Sequence, residues 1–210
     1  MTSRHLADLT YEELEAILSG AAPVVALVPV GSVEPHGPHL PLHTDTTISE
    51  TCAVRAAEAL EARGIRALVA PSVPYGVTEY AGGFAGAIGV PAELLTGWLR
   101  AIADKLLASR FDHVCFVNNH LEPAHDAAVR AAIEGLPEGA ASVACPLTRR
   151  WGRTLSDEFK RGDCHAGRYE TSLVLAAGKP VRASVHALPS VALSLSDAIR
   201  AGKTTFREDR

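Results

Sequence analysis

A chain of 210 residues, 47% hydrophobic and 21% charged, suits one globular domain over residues 1–210 with a sizeable core. It excludes a disordered tail and a small disulfide-stapled scaffold. The net charge of -4 comes with scattered basic residues, so no cationic face recommends itself for nucleic acid or anionic lipid.

Cys52, Cys115, Cys145 and Cys164 are widely spaced and form no CxxC pair, which reads as reduced thiols of a cytosolic protein. The opening stretch "MTSRHLADLTYEELEAIL" has no hydrophobic signal core, and no window approaches the roughly 18 apolar residues of a membrane span. The expected location is the cytoplasm and the expected partner a small molecule, with neither nucleic acid nor membrane involved.

In chain order, Thr10 followed by Glu13 forms a capping-box pattern that predicts a helix from Tyr11 to about Ser19, ended by Gly20. Pro23 to Val30 lacks alternation and is rich in valine, as expected of a strand buried on both faces of a parallel sheet. A helix from about Thr47 to Arg63 stops at Gly64, and "IRALVAPSV" supplies the next strand. After a glycine-rich loop from Tyr75 to Gly89 comes a helix opened by Pro91, then a strand from His113 to Asn118.

"EPAHDAAVRAAIEGL" is helical again, Ala141 to Leu147 reads as a fourth strand and Ala166 to Ala177 as a helix. "PVRASVHAL" is expected to add a fifth strand at the sheet edge. Strands alternating with helices in this way predict a mostly parallel sheet covered on both faces, with ligands bound beyond the carboxyl ends of the strands.

Candidate ligands gather at those ends. "GSVEPHGPHLPLHTD" follows the first strand, and extended backbone there aims Glu34 and His36 to one side, with Asp45 closing the same loop. "NNHLEP" follows the third strand and gives His120 and Glu122 the same i, i+2 spacing. Two pairs of histidine and glutamate with one aspartate between them suit two divalent ions, and a carboxylate-bridged pair about 3.5 Å apart is a recurrent hydrolytic arrangement. A third cluster, "GDCHAGRYETS", offers Asp163, His165 and Glu170 at the start of a helix. His165 is the candidate proton donor, because an imidazole exchanges protons near neutrality.

Plainer roles compete for several of these residues. His5, His43, His113, His125 and His186 read as surface or satisfied core histidines. Asp45 could cap the helix beginning near Thr46, His39 could bond to a ligand side chain or merely pack the loop, and Glu170 could pair with Arg168 or Arg182.

The first loop resembles the signature of the creatininase family almost position for position, and the likeness continues through "YGVTEYAGGFAGAIGV", "NNHLEP" and "DCHAGRYETS". The resemblance implies a three-layer α/β/α sandwich, a single metal-dependent hydrolase domain assembled as a homo-oligomer, usually a hexamer, and two divalent ions such as zinc and manganese, with iron an alternative. It implies that Glu34, Asp45 and His120 hold one ion and that His36, the shared Asp45 and Glu122 hold the other. Glu122 and His165 are then the catalytic residues, His165 as general acid.

Where many relatives, including peptidases of mycofactocin maturation, read Gly-His-Gly-Gly-Asn, this chain reads "NNHLEP", whose His-x-Glu spacing is closer to creatininase itself. Cys164 stands where creatininase has a glutamate beside the catalytic histidine, which points away from creatinine as substrate. The expected activity is hydrolysis of a non-peptide C–N bond in a small or cyclic amide by hydroxide formed between the two ions. Alternatives are a formamide deformylase, with Arg149, Arg150, Arg153 and Arg161 as a phosphate grip, a mycofactocin-type peptidase, and a non-catalytic metal-dependent binding or assembly protein.

Overall fold

The computed structural model describes residues 3–162, 164–188 and 195–205. Its centre is β1 (Val24–Val30), whose side chains alternate between two apolar layers. Val24, Ala26, Val28 and Val30 face α3 (Ala92–Ala108) and α4 (Pro123–Ala131), where they meet Leu95, Leu99 and Val129. Leu27 faces the other way, onto Ala53 and Ala57 of α2 (Thr44–Glu61). Because both faces are covered, the strand has no polar side, which explains its uninterrupted apolar run.

The sheet has the order β2-β1-β3-β4, with β2 at Arg66–Val69, β3 at His113–Asn118 and β4 at Ala141–Ala144, and every pairing is parallel. Helices on the two faces complete the three-layer α/β/α arrangement. From β1 the chain runs outward to β2 on one side and then crosses to β3 on the other. The connections therefore diverge above β1 and β3 and leave a crevice at their carboxyl ends, the usual ligand position in such sheets.

The remaining elements are α1 (Tyr11–Leu18), the short α5 (Arg149–Gly152) and α6 (Asp157–Arg161), α7 (Arg168–Ala176) and α8 (Leu195–Arg200). The capping box of α1 forms as expected: Thr10 N–H donates to the Glu13 carboxylate at 2.8 Å, and Glu13 N–H donates to the Thr10 hydroxyl at 3.3 Å. Helix α2 begins at Thr44, ahead of the expected Thr47, because Pro41 carbonyl accepts from both Thr44 N–H and Thr44 Oγ1 and starts the turn early.

The expected fifth strand is not one. Ala183–Ala187 is a 3₁₀ helix, since Pro180 removes a ladder donor, Val181 packs against the Leu40, Ile48 and Val174 cluster, and Arg182 N–H donates to His39 carbonyl instead of a sheet edge. Among the described residues, no helix is long and apolar enough to cross a membrane.

Candidate metal centre

β1 and β3 end side by side, Val30 opposite Asn118, and the two ligand-rich segments leave the sheet together. Gly31 makes the first possible: a Cβ there would lie 2.6 Å from Thr46 N, so only glycine lets the loop pass the start of α2. Glu34 N–H then bonds Leu42 carbonyl at 3.0 Å, closing the loop and returning Asp45 to the strand end. On the β3 side, Ser49 Oγ donates to Val30 carbonyl at 2.7 Å and accepts Asn119 N–H at 3.1 Å, tying the two strand ends to α2. Glu34, His36, Asp45, His120 and Glu122 all converge here and are all buried.

Asp45 lies in the first turn of α2 and does not cap it: its carboxylate lies between two imidazoles. Oδ1 is 3.1 Å from His36 Nε2 and Oδ2 is 3.0 Å from His120 Nδ1. Each histidine is pinned by its far nitrogen to a backbone carbonyl, His36 Nδ1 to Glu34 at 3.1 Å and His120 Nε2 to Val77 at 2.6 Å. Those carbonyls require N–H on the far nitrogen, so a neutral ring presents its lone pair to the carboxylates.

Lone pairs aimed at carboxylates repel unless a cation lies between, and protonation is the answer of the protein alone. Burial opposes a charge on His120, but Glu34 and Asp45 outweigh it and raise the ring to about 10. His36 is likewise raised well above its usual value, against burial, by Asp45, Glu170 and Glu34. Asp45 is held below the ordinary carboxylate range by the two imidazoles although burial alone would raise it.

Ligand atoms fall within 4.8 Å of one another in three groups: Glu34, His36 and His165; Glu34, His120 and Glu122; His36, Asp45 and Glu170. Glu122 therefore stands with Glu34 and His120, and Glu170 occupies the place beside His36 and Asp45. Glu122 also accepts Glu79 N–H at 3.0 Å and Tyr80 N–H at 3.2 Å, which fastens the glycine-rich loop over the site. Glu170 makes no pair with Arg168 or Arg182: it is 3% exposed, accepts Ala166 N–H at 2.6 Å and faces His36 Nε2 at 3.6 Å. Burial lifts its carboxyl to about 8 despite the nearby His36.

His165 lies over His36 with ring centroids 4.7 Å apart, its Nε2 toward Pro35 carbonyl at 3.2 Å and its Nδ1 3.6 Å from Glu34 Oε1. Burial first, then the charge on His36, depress it to about 4. His39 bonds Thr171 Oγ1 at 3.1 Å and so packs the loop, while Asp163 lies outside the described residues.

The donor set suits divalent ions: carboxylates and imidazoles with far nitrogens already spent, and a buried Asp45 Oδ2 that has no aligned hydrogen bond despite its closeness to His120. Around them Thr78 Oγ1 donates to Glu34 Oε2, and His125 packs edge-on to His120 with ring centroids 4.6 Å apart.

Residues 7–192 match the family model described as creatinine amidohydrolase. The chain belongs to the creatininase family. Among curated relatives, the creatininase-family mycofactocin precursor peptide peptidase of Mycolicibacterium smegmatis is 37% identical over 163 residues, 75% of this chain and 59% of that protein. Creatinine amidohydrolase of Pseudomonas putida is 31% identical over 120 residues, 55% of this chain and 44% of that protein. The chain thus spans between about two fifths and three fifths of the length of these relatives.

A creatininase crystal structure superposes with a TM-score of 0.67 at 22% identity, covering 84% of this chain and 73% of that one, which shows the shared fold. A creatininase described as the Mn form covers 83% of this chain and 73% of its own, with a TM-score of 0.65 at 22% identity.

Two residues take places that the sequence alone does not assign: Glu170, one member of the third cluster, and His125. Glu170 is reached through Ala166, whose left-handed backbone (φ 52°) turns the chain so that the carboxylate folds back on its own loop. His125, read as a surface or satisfied core histidine, is wholly buried and lies against a candidate ligand. Gly76 leaves it room, since a Cβ there would come within 2.5 Å of the ring.

Proposed function

We propose that this chain is a metal-dependent amidohydrolase cleaving a non-peptide C–N bond in a small amide. The carrying observation is the Asp45 carboxylate set between His36 and His120, each ring anchored so that its lone pair faces inward. Glu34, His120 and Glu122 would hold one divalent ion and His36 and Glu170 the other, with Asp45 shared. Zinc and manganese, the metals of the Mn and Zn-Zn forms of creatininase, are the first candidates.

Two such ions supply Lewis acidity, polarising an amide carbonyl and making water a competent nucleophile at neutral pH. The chain's own groups do the rest. Asp45, Glu34 and Glu170, all buried, balance the centre's charge. His165, whose Nε2 faces the Pro35 carbonyl, would take the proton of the attacking water on Nδ1 and return it to the departing nitrogen, because an amide anion is too basic to leave unaided. Tyr80 and Ala81, from the loop that Glu122 fastens, wall the site.

Peptide trimming is a second reading. The identity to the mycofactocin peptidase, higher and longer than that to creatinine amidohydrolase, favours it. Protein loaded with zinc or manganese, incubated with cyclic amides, formamides and short peptides and followed by product mass, should open a cyclic amide with gain of one water or release an amine from a formamide. Release from peptides alone would establish the second reading, and no product from any substrate would refute both.

A further inference from the structure

The space lined by Glu34, His120, Glu122, His165 and Glu170, among others, is about 20 Å³, room for a water-sized group. An amide can present little more than its reacting carbonyl there. Next to it opens a cleft of about 540 Å³, in the range of small-molecule sites, and Leu121 and Cys164 line both spaces. Whatever the carbonyl carries must lie in that cleft.

Phe159 makes its wall apolar, whereas its rim carries Arg149, Arg153 and Lys160, and no acidic side chain lines it among the described residues. Lys160 is paired with Asp157 at 3.4 Å. Of the neighbouring cations, Arg130 is bonded to Asp126 and the Arg150 guanidinium lies 4.8 Å over the Trp151 ring. Arg149 and Arg153, four residues apart at the two ends of α5, form no ion pair with any described residue, although like charges at that spacing repel. Guanidinium forks without a counterion at the mouth of a cleft match the geometry of an oxyanion.

We infer that the cleft receives an anionic group of the substrate, a carboxylate or a phosphate monoester, gripped by Arg149 and Arg153 while Leu121 and Phe159 pack the carbons that link it to the amide. The substrate class is then a small anionic amide. This placement of the amide rests on the hydrolase reading, but the grip is a binding property that can be measured without turnover.

The test uses the zinc-loaded full chain and three ligands without a scissile amide: phenyl phosphate, phenylacetate and neutral 2-phenylethanol, titrated by calorimetry at low and high salt. At least one anion should bind about tenfold tighter than the alcohol at low salt, with the gain shrinking as salt screens it. The larger gain identifies phosphate or carboxylate.

In the Arg149→Gln/Arg153→Gln double variant that gain should fall to less than about threefold, and Arg149→Lys/Arg153→Lys should retain part of it. Equal affinity for anion and alcohol, or an anion preference surviving in the glutamine variant through direct contact with the metals, would overturn the proposal. A parallel assay of 4-formamidobenzoate hydrolysis separates the two readings. Absent turnover of this compound and of the whole amide and peptide panel, with the grip intact, removes only the hydrolase, and a lost preference with turnover intact removes only the anion site.

Discussion

Glu34, His36, Asp45, His120 and Glu122 are each at most 4% exposed, whereas Arg149, Arg153 and Lys160, one wall away, are exposed. The first group is fixed by backbone carbonyls, loop N–H groups and the Thr78 hydroxyl; the second projects from two short helices, α5 and α6. Burying charge is costly unless every member is partnered, so the centre admits few substitutions and stays in one geometry. Solvated arginines carry no such penalty and can be altered without disturbing the chemistry beside them. Reaction and recognition are thus divided between a rigid site and a tolerant one.

That division sets an order for tests that could break it. The largest effect belongs to Asp45→Asn: with the shared carboxylate lost, elemental analysis should find fewer than about one divalent ion per chain and turnover at background, and retained metal would deny Asp45 its bridging place. His165→Ala should keep its metal yet slow hydrolysis by about 10²- to 10⁴-fold, and an unchanged rate would remove its proton-transfer role. Glu170→Gln should weaken one ion by at least the roughly 10- to 100-fold typical of changes near a metal, read by competition with a chelator. Equal affinity would return Glu170 to a purely structural part.

A smaller effect is expected in the pH dependence of the metal-free chain. His120 is raised from about 6.5 to about 10 and His36 in the same direction, so the stability from their protonation is full below about pH 6.5 and is lost as pH rises toward 10. Glu170, raised to about 8, acts with the same sign, because the unfolded chain releases that proton first. Melting temperature after chelation should therefore fall between pH 6 and pH 9, by about 2–4 °C for each kcal/mol lost in a domain of this size. A flat or rising profile would contradict the inward charge balance. Smallest of all, Arg149→Gln/Arg153→Gln should leave stability within about 0.5 kcal/mol, and a larger loss would show that the cleft is not the tolerant region described.

The convergence of Glu34, His36, Asp45, His120 and Glu122 was legible because these candidate ligands are packed into two short segments that follow buried strands, where i, i+2 spacing and strand direction suffice to aim them. Glu170 stood out as a member of the third cluster, but its place beside His36 and Asp45 did not, since its carboxylate reaches the site through the left-handed turn at Ala166 and nothing in "HAGRYE" signals that the chain doubles back. The β-formers of "PVRASVHAL" promised a strand, but Val181 found a helix-lined cluster and Arg182 a loop carbonyl, contacts that only the assembled fold supplies. His125 shows the same limit: its sequence left surface and core open, and its contact with His120 comes only from the fold.

The most direct measurement of the account is the metal content of the purified chain after reconstitution with zinc or manganese. Two ions per chain, with both lost together in Asp45→Asn, is the predicted result. A chain that binds none, or that loses only one ion when Asp45 is changed, would contradict a shared centre between His36 and His120.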